Sequence, residues 1–181
     1  MNYLSVLCGN LKCLWNVITA RGNKRKECNI AFPQAISADT KIRLKNGKLV
    51  FGKRIHTKKN VSFSVVTAGV LEIGKHTSFN KNCMIVCQNH ISIGANCRFG
   101  PNVCIFDHDH VFDSNGIYGE CKTGEIQIGQ GCWIGTGAII LRNTVIGEGT
   151  VIGAGTVVKG VIPPHSLVKN DRTLRIEPIR D

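Results

Sequence analysis

From Ile128 onward an apolar, β-branched residue stands at every sixth position: Ile128, Ile134, Ile140, Ile146, Ile152 and Val158. Glycine follows these anchors at Gly129, Gly135, Gly147 and Gly153, with only Leu141 and Lys159 breaking the pattern. Four residues after an anchor comes a small side chain: Cys132, Ala138, Thr144, Thr150 and Thr156. A period of six fits neither the 3.6 of a helix nor a turn-punctuated hairpin meander. A repeat this short is the signature of a parallel β-helix, one short strand and one turn per repeat. The anchor is expected to stack inward on its neighbours, the small residue to let the turn close, and glycine to accept the angles of a tight corner.

The same unit recurs upstream with slips of register. Ile73, Phe79, Ile85 and Ile91 form one ladder, and Ile93, Phe99 and Ile105 another displaced by two; weaker anchors at Leu49, Ile55 and Val61 begin the array. Cys83, Cys97 and Cys132 fall at the small inward position and are expected as buried apolar thiols. The chain's nine cysteines include no C-x-x-C pair and no zinc-ribbon spacing, so reduced thiols fit better than a disulfide framework or structural zinc.

The 181 residues suffice for one domain with a small appendage. A net charge of +11 calls for an anionic partner, whether phosphorylated cofactor, nucleic acid or acidic lipid. At the N-terminus Leu4, Leu7, Leu11, Leu14, Trp15 and Ile18 recur at helical spacing before the basic run RGNKRK. Asn10, Lys12 and Asn16 interrupt the apolar stretch, which reads as neither a signal peptide nor a bilayer span. The expected helix either caps the open first coil or lies on an acidic membrane surface.

The ladder fails after Ile105. The segment from Asp107 to Glu125 is polar and contains glycine, so it must be extruded from the coil, with Asp107, His108, Asp109 and His110 at its start. Two histidines at i and i+2 in an extended segment point to opposite sides, and His56, His76, His90 and His165 are scattered, which argues against a metal site. A general base needs only one imidazole near neutral pKa, oriented through its other nitrogen. A solvated polar loop is the third reading.

The hexapeptides, the terminal VIGAGTVVKGVIPP and the interrupting histidine loop resemble the left-handed parallel β-helix acyltransferases, in the branch of galactoside, maltose and polysaccharide O-acetyltransferases. The resemblance covers about Leu49 to Pro164. It implies an all-β, left-handed helix at 31–164 with the loop extruded at 107–125, preceded by helix and basic linker at 1–30 and followed by a tail at 165–181. It also implies a homotrimer using acetyl-CoA to acetylate a sugar or polysaccharide hydroxyl; the reduced thiols and the N-terminal helix point to the cytoplasm or the inner face of the membrane, and no nucleic acid and no metal are expected. N-acetylation of an amino sugar, or a non-catalytic or metal-binding scaffold, are the alternatives.

Laid beside the galactoside acetyltransferases, the stretch from Asn80 runs without a gap to His110, which falls on the family's catalytic histidine; Asn80 falls on an acceptor-pocket asparagine. His110 is therefore the expected base and His108 the reserve, with Asp107 and Asp109 beside the acceptor. The resemblance puts an oxyanion donor near Gly135 and Thr136 and Trp133 beside the reacting centre, though Trp133 also reads as a bulky side chain on the coil surface. Coenzyme A would follow Thr136, Ala154 and Lys159. The chain departs from its relatives where the lysine comes one residue early and where VKNDRTLRIEPIR replaces their closing turn, with Arg172 or Arg175 as the substitute cation.

Overall fold

The computed structural model describes residues 3–21 and 26–171, with backbone only for residues 3 and 16–21. After an opening helix, α1 (Tyr3–Arg21), short parallel strands wind in turn through three faces. The first face stacks Lys41–Leu44, Ser62–Val65, Met84–Cys87, Cys104–Phe106 and the start of Ile139–Ile146. The second stacks Lys26–Ile30, Gly47–Phe51, Val70–Ile73, His90–Ile93, Glu125–Ile128 and the end of Ile139–Ile146. The third is a six-stranded sheet from His56–Thr57 through Ser78–Phe79, Arg98–Phe99, Trp133–Ile134 and Val151–Ile152 to Leu167–Val168.

This is the parallel β-helix that the hexapeptide period predicts. The array is wider than 31–164 at both ends. Lys26–Ile30, assigned to the linker, pairs with Gly47–Phe51, and Leu167–Val168, assigned to the tail, pairs with Val151–Ile152.

All the sequence-predicted anchors from Leu49 to Val158 are buried, and burial of each is worth about 1.5–3 kcal/mol. Phe51, Phe63, Phe79 and Phe99 form a continuous aromatic row, with successive ring centroids 5.2, 5.2 and 4.5 Å apart, the first two contacts edge-to-face and the last stacked. The two displaced ladders meet on one strand, His90–Ile93, which carries the last anchor of the first and the first anchor of the second. Val70–Ile73 buries both Leu71 and Ile73, and His90–Ile93 buries both Ile91 and Ile93, as alternation along a strand requires.

The small inward position has a further chemical use. Thr77 Oγ1, Cys83 Sγ, Cys97 Sγ and Cys132 Sγ donate to the carbonyls of Gly94, Gly100, Gly129 and Gly147 at 2.9–3.2 Å. Cysteine here acts as a buried donor to a corner carbonyl, interchangeable with threonine.

The repeat glycines also have a reason different from the one expected. Gly129 and Gly147 are not the residues at positive φ; a Cβ on either would approach the next coil's backbone, at Glu148 N to 2.5 Å and at Pro164 N to 2.3 Å. Close stacking of coils, rather than corner angles, requires them. Positive φ falls elsewhere, in the column Asn82, Asn102, Gly137 and Gly155.

Helix α1 packs against the first strands of the array, but not through its leucines. Gly9 and Cys13 are buried, Ser5 and Lys12 flank them, and Lys12 Nζ donates to the carbonyls of Ala38 at 2.6 Å and Thr40 at 3.0 Å. Leu4, Leu7, Leu11, Leu14 and Trp15 face outward and are 44–67% exposed. Ile18's side chain lies outside the described residues.

Candidate active site

At the edge joining the first and second faces, backbone amides normally donate to the next coil: Lys45 N–H to Val65 O and Val66 N–H to Cys87 O, both at 3.0 Å. The next amide in this column, Gln88 N–H, should meet the carbonyl of Asp107, but that carbonyl is occupied by Gly124 N–H at 2.7 Å, closing the base of the extruded loop. The Asp107 carboxylate takes over. It accepts from Gln88 N–H at 2.9 and 3.0 Å and from Asn89 N–H at 2.8 Å, while Asn89 Nδ2 donates to Gly124 O at 3.2 Å. Asp107 is fully buried. Expected beside the acceptor, it is instead a structural plug within the coil.

The loop beyond it consists of two small antiparallel pairings, His108–Asp109 with Lys122–Thr123 and Phe112–Asp113 with Gly116–Ile117. Asp109 is tied to the coil above by Arg142 Nε at 2.5 Å. Its carboxylate therefore holds the loop, whatever else it contacts.

The two histidines have different surroundings. His108 Nδ1 lies 3.1 Å from Asp107 Oδ1, its ring meets Phe106 edge-on, and its side chain is only 15% exposed. Because a carboxylate only accepts, Nδ1 carries the proton in this tautomer. His110 is exposed, with Nδ1 3.8 Å from Cys121 Sγ, which leaves Nε2 for chemistry. Among the described residues no group of three or more His, Cys, Asp and Glu side chains is placed to hold a metal ion.

Asn80 and Trp133 do come together. They line a groove of about 310 Å³ on the third face with His56, Lys58, Ser78 and Arg98. Trp133 is 56% exposed, one residue before buried Ile134, and it pairs across the sheet with Arg98. None of the groove's lining residues comes from the loop, so a single chain does not bring the histidines to Asn80 and Trp133.

Of the two candidate oxyanion donors, Gly135 spends its N–H on Ile152 O at 2.7 Å in the coil ladder. Thr136 is exposed and uses its carbonyl to accept from Gly155 N–H, while its own N–H has no protein acceptor among the described residues. Ala154 is exposed in the same corner, one coil on. Lys159 is exposed but lies at the edge of the first face, away from that corner. Arg172 is outside the described residues.

Sequence reasoning missed Arg98, Lys58 and His56. The signal was present: Arg98 precedes Phe99 as Trp133 precedes Ile134, so stacking the repeats in coils puts them side by side. Burial first, and then nearby Lys58, hold the His56 imidazole below its ordinary value.

Residues 125–160 match the bacterial transferase hexapeptide (six repeats). Nodulation protein L of Rhizobium meliloti (strain 1021) is 38% identical over 72 residues, 39% of either chain, so the match spans about two-fifths of that relative's length. Among solved structures, galactoside acetyltransferase in complex with coenzyme A is 33% identical with a TM-score of 0.50, covering 54% of this chain and 49% of that one. A hexapeptide-repeat acetyltransferase of Vibrio cholerae O1 biovar eltor, complexed with acetyl coenzyme A, is 28% identical with a TM-score of 0.53 over 57% of each chain.

Proposed function

We propose that this protein is an acyltransferase that moves the acetyl group of acetyl-CoA to a hydroxyl of a sugar or polysaccharide, with His110 as general base. The observation that carries the reading is an exposed imidazole on a loop anchored at both of its neighbouring coils, in a hexapeptide chain similar to acetyltransferases that bind coenzyme A. His108, nearly buried and fastened to Asp107, positions the loop and is the reserve base.

In the reaction His110 Nε2 takes the hydroxyl proton as that oxygen attacks the thioester carbonyl carbon. The carbonyl π electrons move to oxygen, and the Thr136 N–H, open in the described chain, is the donor for that oxyanion. Collapse re-forms the carbonyl and breaks the C–S bond; the departing thiolate of coenzyme A takes the proton back from the imidazolium. No acyl-enzyme is needed.

The site is shared between subunits of a homotrimer. Phe112 and Ile117, each 74% exposed at the loop's tip, support packing of the loop on a neighbouring chain, and the absence of loop residues from the Asn80–Trp133 groove supports its completion by that neighbour. Thr136 and Ala154 on one corner, with Lys159 on another face, are the contacts assigned to coenzyme A, and Arg172 the further cation.

The protein works in the cytoplasm at the inner face of a membrane, a reading supported by the free cysteines and by the outward leucine row of α1. No helix of the described chain is long and apolar enough to cross a membrane. Acetyl-CoA cleavage that depends on an added sugar tests the enzymatic reading, and product analysis separates ester from amide; a chain that binds no coenzyme A by calorimetry and cleaves no thioester is a scaffold.

A further inference from the structure

On the third face, the outward residues of successive coils stand in one column: His56, Ser78, Arg98, Trp133 and Val151. Thr136 and Ala154, assigned to coenzyme A, lie in the corner beside the later coils. The column's earlier half is different in chemistry. Arg98 lies one strand from Trp133, about 4.8 Å away, and Lys81 and Lys58 stand one and two coils earlier still, all exposed.

The groove beneath Trp133 shares His56 and Lys58 with a second cavity of about 600 Å³, lined also by Lys59, Lys81 and the α1 residue Leu4. Four cations thus border two adjoining cavities, together a trough in which Asp39 is the one carboxylate among the lining residues. None of Lys58, Lys59, Lys81 and Arg98 forms an ion pair among the described residues, whereas Lys48 and Arg142 do. Like charges gathered in a cleft repel one another and raise the local concentration of anions. His56, held neutral by burial and by Lys58, adds a hydrogen-bonding group there rather than a fifth charge.

We propose that the acceptor bound in this trough is an anionic glycan, its phosphate or carboxylate set against Arg98, Lys58 and Lys81 and its reacting hydroxyl beside Asn80 and Trp133. The proposal rests on the acyl-transfer reading and names the substrate class of that site. Asn80 supplies a neutral polar group next to the reacting centre, and the backbones of Arg98, Lys81 and Lys58 stand about one, two and three strand spacings from Trp133, roughly 5, 10 and 14 Å, a span that the long Arg and Lys side chains shorten toward the size of a monosaccharide with a charged group attached.

The test is calorimetry on the full chain with galactose, galactose 1-phosphate and galacturonic acid as probes, each with and without coenzyme A. Either charged probe is expected to bind at least about tenfold more tightly than galactose, since a charge-assisted contact is worth that much. The Arg98→Gln/Lys58→Gln variant is expected to lose this preference while its affinity for coenzyme A stays unchanged. Preference for the phosphate alone or the carboxylate alone identifies the anion. Equal binding of galactose and both charged probes, or an undiminished preference in the variant, overturns the proposal. A variant that loses coenzyme A affinity also overturns it, because the cations then serve the donor. Absence of coenzyme A binding in the unaltered chain overturns the acyl-transfer reading, a result separate from any measured with the sugars.

Discussion

The corners at Val66–Gly69 and at Asp107–Gly124 stand on the same edge of the β-helix, on either side of Gln88–Asn89. At the first, a backbone carbonyl receives the amide of the coil before it; at the second, a buried carboxylate substitutes for the carbonyl and releases the backbone into a loop. The comparison teaches how a rigid repeat can grow an insertion without leaving buried amides unpaired, a cost of about 1–3 kcal/mol each. One aspartate keeps the ladder satisfied, and the two residues His108 and His110 are then presented in different ways, one fastened and one exposed.

The largest expected effect separates those two histidines. His110→Ala lowers kcat by about 10²- to 10⁴-fold with coenzyme A affinity nearly unchanged, because proton removal is a transition-state contribution. His108→Ala lowers kcat far less and lowers the melting temperature instead. Steady-state kinetics with calorimetry decide it; a crippled His108→Ala with a nearly normal His110→Ala reverses the assignment of base and reserve.

Next in size is the plug itself. Asp107→Ala leaves the Gln88 and Asn89 amides and the His108 imidazole without their acceptor, and we expect a loss of about 3 kcal/mol or more in urea denaturation. Asp107→Asn, which keeps one acceptor oxygen, loses less. A change below about 1 kcal/mol for Asp107→Ala would mean that water satisfies this corner and that the two corners are not equivalent in the way described.

Titration gives a smaller effect that belongs to the regular coils. Burial pushes the Cys28 and Cys83 thiols from 9.0 up to about 11, so above pH 9 the unfolded chain sheds protons that the folded chain keeps. Their contribution is fully present below pH 9 and is lost as pH rises from 9 towards 11. Thermal melts at pH 8 and 10.5 measure it, and Cys83→Ala is expected to flatten the alkaline decline. The smallest expected effect is on the loop's outer tether: Arg142→Gln removes a partly exposed ion pair and costs at most about 1 kcal/mol.

The regular coils were largely legible in the sequence because a six-residue period leaves few alternatives. The slips upstream of Ile128 were legible only as slips, since strands that bury two alternate residues, such as Leu71 with Ile73, look like two ladders. The role of Asp107 was not legible, because its partners Gln88 and Asn89 face it only once the coil has closed. Helix α1 inverted the simple amphipathic reading for a physical reason. The open end of a β-helix presents unpaired backbone carbonyls, such as those of Ala38 and Thr40, and these need a donor such as Lys12 rather than leucine. Arg98 and Lys58 were hidden in a total charge that cannot be assigned to a face until coils are stacked.

The central claim is that an anchored loop delivers His110 to the third-face groove of a neighbouring subunit. It is tested most directly by mixing two variants, His110→Ala, which keeps an intact groove, and Asn80→Ala/Trp133→Ala, which keeps an intact loop. Each alone is expected to turn over slowly. Unfolded together and refolded, they should form mixed trimers in which some sites combine a good loop with a good groove, and thioester cleavage should rise well above the mean of the separately refolded variants. Activity no higher than that mean, from a mixture that light scattering finds to be assembled and mixed, would contradict the claim and return both halves of the site to one chain.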